Sequence, residues 1–161
     1  MTKESHTMEL DIDEIAGILG RFGGLTREEL DTALEEVAFR RGEDAPPRSS
    51  IETQLTDGEQ AGAIVRTEVA DATLLVPGPA AFPVEPAGAE DLPHILDITP
   101  REIDRRLIAS SLIDDIKQEI TTAPNQSRRK TLLDLSYDIE AWSGIDAASL
   151  REQLDTHDDS A

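Results

Sequence analysis

The chain has 161 residues, of which 38% are hydrophobic and only 3% aromatic, and its 34 Asp and Glu against 15 Lys and Arg leave a net charge of −19. That length fits one compact domain or two very small ones, and the shortage of bulky apolar residues predicts a lean core. The lack of cysteine excludes disulfides, thiolate catalysis and cysteine-held metals. No apolar run approaches a membrane span and MTKESHTMELD lacks a signal-peptide core, so a cytoplasmic protein without a membrane partner is expected.

Lysine occurs only at Lys3, Lys117 and Lys130, so nearly every cation is arginine. Abundant carboxylates, scarce lysine and few aromatics together suit a high-salt cytoplasm. There the Debye length falls to about 3 Å and self-repulsion is screened.

In chain order, residues 1–7 are polar and aperiodic and are expected to form a flexible tail. Ile12, Ile15, Leu19 and Phe22 then recur at helical spacing, with Asp11 or Asp13 as cap and Gly23-Gly24 as the stop. A second helix opens on Thr26 with Glu29 three residues on, a capping box, and ends with Arg40-Arg41 before Gly42. After EDAPPR a third helix starts at Ser49 or Ser50, with Ile51 and Leu55 inward. Two short β-like runs, AIVRTEV and TLLV, are spaced as a hairpin. Residues 77–93 are rich in Pro, Gly and Ala and read as a connector, with Phe82 its anchor. Thr99-Pro100 opens a further helix, with Ile103, Leu107, Ile113, Ile116 and Ile120 along its apolar side. Leu132, Leu135, Ile139 and Trp142 mark the next, closed by Gly144, and Asp146 caps a last short helix ending near Leu154. A second flexible tail is expected over residues 155–161.

The expected fold class is therefore α+β and predominantly helical. A winged-helix-like N-terminal half over residues 8–76, with three helices then a hairpin, packs with a C-terminal helical bundle over residues 94–154. The stretches LTREELDTALEEVAFRRG, LLVPGPAAFP, DLPHILDITPREIDR and LLDLSYDIEAW resemble an uncharacterised family of haloarchaeal proteins, a domain of unknown function, across nearly the whole chain. The resemblance implies a haloarchaeal origin and a winged-helix-like N-terminal half. It implies no activity and no catalytic residues.

A winged helix would present Arg48, Ser49, Thr53, Gln54 and Gln60 of its third helix, and Arg66 of the wing, to DNA. The same helix also carries Glu52, Asp57 and Glu59, which phosphates would repel. Arg40-Arg41 reads as a helix C-terminal cap, whereas Arg105-Arg106 and Arg128-Arg129-Lys130 read as partners of nearby acids. His94 stands with no second histidine near it in sequence, so it reads as structural, and no metal or other cofactor is expected. Adjacent carboxylates such as Asp114-Asp115 diverge on a helix and do not form a catalytic pair. No phosphate-binding glycine loop or nucleophile elbow is present, so no enzyme is expected. Tyr137 and Trp142, five positions apart on one helix, cannot both point at one core. Trp142 is assigned to the core, while Tyr137, with Phe82, is a candidate partner contact. The function these readings favour is a non-enzymatic adaptor or regulatory protein acting on a protein partner. The alternative is a winged-helix DNA-binding transcriptional regulator.

Overall fold

The computed structural model describes residues 6–158. The expected tails at 1–7 and 155–161 lie partly outside that range. The protein is α+β and predominantly helical, with a single two-stranded sheet among the described residues. It divides into two compact units, Met1–Ile103 and Asp104–Ala161.

Three helices and a hairpin build the first unit. α1 (Ile12–Phe22) starts on a capping box in which the Asp11 carboxylate accepts from Glu14 N–H at 2.9 Å and Glu14 accepts from Asp11 N–H at 3.1 Å. α2 (Arg27–Arg41) repeats the device with Thr26 and Glu29, and Gly42 closes it in the left-handed conformation. Each box satisfies two main-chain N–H groups that a helix start otherwise leaves unpaired, a gain of about 1 kcal/mol. α3 (Arg48–Ala61) follows Pro47 and has no side-chain cap, so neither Ser49 nor Ser50 caps it as expected. Both serines instead lie inside its first turn.

β1 (Ile64–Val69) and β2 (Ala72–Pro77) pair antiparallel through the two-residue turn Ala70-Asp71. Leu25, between α1 and α2, joins the opposite edge of β2: Leu75 N–H donates to Leu25 C=O at 2.7 Å and Leu25 N–H to Leu75 C=O at 3.0 Å. Ile15, Ile18, Leu19 and Phe22 of α1 meet Leu30, Leu34 and Val37 of α2, Ile51 and Leu55 of α3, and Ile64 and Leu75 of the hairpin in one buried cluster.

Residues 77–93, expected as a connector between halves, belong to this first unit. Val84 N–H donates to Asp13 C=O at 3.0 Å, Arg40 reaches Glu90 C=O at 2.5 Å, and Ala89 and Leu92 are buried in the core cluster. A short helix, α4 (Leu92–Leu96), with Pro93 in its first turn, follows. Residues 77–101 thus form a strap along the first unit that finishes at Arg101, whose N–H donates to Phe22 C=O at 2.7 Å and whose guanidinium holds Glu29 at 2.9 and 3.2 Å. Here Gly23 is required, because a Cβ on it would stand 2.0 Å from the Arg101 carbonyl oxygen. Burial would raise the Glu29 carboxyl pKa, but hydrogen bonds from Arg101 and Thr26 and the Arg101 charge outweigh it and hold it below 4.5. The unit boundary therefore falls after Ile103, ten residues later than the connector's expected end at 93.

The second unit is three helices that touch pairwise: α5 (Arg105–Ile120), α6 (Gln126–Ser143) and α7 (Ala148–Asp158). Asp104 caps α5, accepting from Arg106 N–H at 3.0 Å, so the helix begins five residues after Pro100. That later start breaks the expected apolar series. Ile103 stays with the first unit, Leu107 is 69% exposed, and Ile108, Ala109, Ile113, Ile116 and Ile120 are the buried positions. Leu132, Leu135 and Ile139 of α6 and Leu150 and Leu154 of α7 are buried as well. α7 runs on to Asp158, beyond the expected end near Leu154.

Candidate functional site

The face made by α3 and β1 carries most of the residues that a nucleic-acid interface would use, and its arginines are already engaged. Asp31 of α2 accepts from both Arg48 and Arg27. Arg27 Nε then donates to Glu52 at 2.6 Å, and Arg66 lies 4.0 Å from Glu52 and donates to Glu59 at 2.6 Å. The result is an alternating chain, Arg48–Asp31–Arg27–Glu52–Arg66–Glu59, that stitches α2, α3 and β1 together with no net charge. The Arg27 hydrogen bond, followed by the charges of Arg27, Arg66 and Arg48, holds the Glu52 carboxyl below its ordinary pKa against some desolvation. Arg27 Nη2 is buried and without a partner among the described residues.

The other candidates divide by helix position. Ser49, Thr53 and Gln60 fall on one exposed stripe of α3, together with Thr56, which the sequence did not single out. Their spacing of four, three and four residues is that of a single helix face. Thr53 hydroxyl donates back to Ser49 C=O at 3.1 Å. Gln54 lies off this stripe and serves the fold, its amide donating to Leu10 C=O at 2.5 Å. Asp57 is exposed beside the stripe. α3 thus sets one cation, itself paired, against three carboxylates.

The two candidate partner contacts behave differently. The Phe82 ring is 77% exposed, so it does not anchor the strap. The anchoring is done by main chain, with Phe82 N–H donating to the Asp13 carboxylate at 3.2 Å. Tyr137 is 56% exposed and lies under the Arg151 guanidinium, 4.4 Å from the ring centre. Glu140 holds Arg151 in place at 3.0 and 3.2 Å. Trp142 is half-buried beneath Arg105 and does not reach the core. Among the described residues the most exposed large apolar side chain is Phe39, at 79%, near the end of α2. Its neighbours Glu35 and Glu36 obscured it in the sequence. Helix-face counting with Leu30, Leu34 and Val37 inward would have turned it outward.

His94 is exposed on α4, and among the described residues no three His, Asp or Glu side chains converge on a point that could hold a metal. A groove of about 530 Å³ lies between residues 7–11 and the start of α3, bounded by Pro46, Pro47, Ser50 and Gln54. Its ionisable lining is Glu9 and Asp11, and the Asp11 carboxylate is taken up capping α1. No helix among the described residues is long and apolar enough to cross a membrane.

Fold and site together define a small, acidic, mostly helical α+β protein whose most prominent polar face is closed by its own ion pairs. The chain belongs to a family of unknown function (DUF7109), whose model matches residues 13–159. No curated protein and no solved structure matches it.

Proposed function

We propose that this is a non-enzymatic adaptor or regulatory protein of a halophilic cytoplasm, acting through protein contacts on a winged-helix-like N-terminal unit. The winged-helix reading is supported by the order α1, α2, α3, β1, β2, with Leu25 as a one-residue strand against β2. In that frame α3 is the recognition helix and the turn at Ala70-Asp71 the tip of the wing.

The observation that carries the choice of protein over DNA is the ion-pair chain. Arg48 and Arg66, the cations aimed at phosphate, are matched by Asp31 and Glu59. Transferring them to DNA would take from Asp31 one of its two arginines, and from Glu59 its partner, beside a polyanion. Counterion release, the usual drive for such binding, is also weak in molar salt. Exposed Phe39 and Phe82 suit a protein partner better, since aromatic side chains concentrate binding energy at protein interfaces.

The second reading, a DNA-binding transcriptional regulator, is favoured by the topology alone. Fluorescence anisotropy with mixed genomic DNA fragments, in potassium chloride stepped down from molar levels with folding followed by circular dichroism, separates the two. No binding at any salt where the fold persists is the expected outcome. Saturable binding lost on replacing Arg48 and Arg66 would instead establish the regulator.

A further inference from the structure

β1 is an open edge, and its sequence is its own antiparallel complement. Leu75 gives both of its main-chain groups to Leu25, so at the Arg66–Leu75 pair β1 and β2 exchange no hydrogen bond. The N–H and C=O of Arg66 therefore point away from β2, and by alternation so do those of Ile64 and Glu68. The Gly78 N–H to Ala63 C=O bond at 2.8 Å agrees with this phase. Among the described residues nothing pairs with the outward main-chain groups of Arg66 and Glu68. An unpaired edge of this kind is a template for another strand.

Residues 65–69 read Val-Arg-Thr-Glu-Val. Laid antiparallel on a second copy about Thr67, they set Val65 opposite Val69, Arg66 opposite Glu68 and Thr67 opposite itself. The two nearest registers that keep the same hydrogen-bond phase set Arg66 against Arg66 or Glu68 against Glu68. Like charges directly opposite are destabilising and opposite charges stabilising, so one register alone is matched. Arg66 is exposed with its guanidinium resting on Glu59, Glu68 is exposed and has no partner among the described residues, and Val69 is 45% exposed. We propose that β1 is a self-association edge, pairing two copies of this chain antiparallel about Thr67 into one continuous sheet.

In this pairing Arg66 N–H donates to the second copy's Glu68 C=O and Glu68 N–H to its Arg66 C=O, and the two-fold repeats both. Val65, Thr67 and Val69 form a row on one face with their symmetry mates. The contact is small, which makes the dimer weak and concentration-dependent. Each chain also brings a charge of −19, so added salt screens the repulsion and strengthens association. This inference stands independently of whether the N-terminal unit binds protein or DNA.

The chain has no cysteine, so single cysteines report the register directly. Facing residues of a non-hydrogen-bonded antiparallel pair sit about 4.5 Å apart at Cα, within disulfide reach. Under oxidation in molar potassium chloride, Thr67→Cys is expected to yield a disulfide dimer, while Val69→Cys, which faces Val65 of the second copy, stays monomeric. Equal cross-linking at both positions, or none at position 67, overturns the proposal. Sedimentation equilibrium gives the second reading: the apparent mass should climb above 17.6 kDa with protein and salt concentration. Glu68→Lys or Arg66→Glu alone should abolish that rise, and an equimolar mixture of the two variants should restore it, because each then faces its opposite charge. Failure of the mixture to associate, with both variants folded by circular dichroism, also overturns it.

Discussion

Two glycines in α1 should respond to the same substitution with opposite signs. Alanine in place of an interior helical glycine ordinarily stabilises by about 1 kcal/mol, because the glycine loses more backbone freedom on folding. At Gly20 a Cβ would meet Pro77 Cγ at 3.5 Å, an ordinary contact. Gly20→Ala should therefore gain about 0.5–1 kcal/mol and raise the unfolding midpoint by roughly 2–4 °C. At Gly17 the same atom would lie 2.0 Å from the Val84 carbonyl oxygen and 2.5 Å from its carbon, so the strap's main chain must lift. Lifting it endangers the Val84-to-Asp13 bond at 3.0 Å and the Phe82-to-Asp13 bond at 3.2 Å. Each such bond contributes about 1 kcal/mol, and overpacking costs about 1–3 kcal/mol more. Against the propensity gain, Gly17→Ala should be destabilised by about 1–3 kcal/mol. Thermal unfolding followed by circular dichroism in molar potassium chloride measures both variants beside the parent. A Gly17→Ala protein that unfolds at or above the Gly20→Ala midpoint would refute the close packing of the strap on α1.

The hairpin turn places Ala70 and Asp71 at φ 49 and 68, values that disfavour side chains with a Cβ. Replacing the pair with Asn-Gly, the preferred residues for this turn, should stabilise by about 1 kcal/mol, and an unchanged midpoint would count against the turn geometry. The Asp138 carboxyl is raised above 3.8, by desolvation first and by the Asp134 charge second. Its contribution is present below that pH and lost as pH rises, so Asp138→Asn should be the more stable protein at neutral pH, by less than about 1 kcal/mol. That advantage should vanish in acid; a gain persisting in acid would place its origin elsewhere. Glu29 has the opposite sign: its depressed carboxyl contributes stability above pH 4.5 that is lost as pH falls. Glu29→Gln should lower stability near neutrality and flatten the acid limb of the pH profile, whereas an unaltered limb would remove the Arg101 clasp from the account.

What could be read from residues alone was local. Thr26 with Glu29 and the stops at Gly42 and Gly144 act within four residues and form as their spacing predicts, while the first cap, open between Asp11 and Asp13, falls to Asp11. The hairpin follows too, from two short β-like runs of matching length and close spacing. The Pro-rich stretch misled for the opposite reason. Its own pattern carries no burial signal, and its order comes from Asp13, Val37 and Arg40, which lie roughly fifty to seventy residues away in the chain. The start of α5 was displaced because Asp104 outcompetes Thr99 as a cap, leaving Ile103 to the first unit and Leu107 to solvent.

For the candidate site, sequence placed Ser49, Thr53, Gln60 and Arg66 on the right elements but could not say what they touch. Charge counts treat Arg48 and Arg66 as available cations, and only the packing of α2 beside α3 brings Asp31 to Arg48 and makes the face neutral. In the same way Val-Arg-Thr-Glu-Val is visible in the sequence as a near-palindrome. Its meaning depends on which main-chain groups face outward, and the pairing of Leu25 with Leu75 decides that. The sequence by itself determined the six longer helices, the hairpin and the acidic, cysteine-free character, because caps, periodicity and composition are properties of neighbours along the chain. The strap, the closed ion-pair face and the open strand edge were decided by tertiary structure alone, because each depends on residues that meet only when distant segments pack.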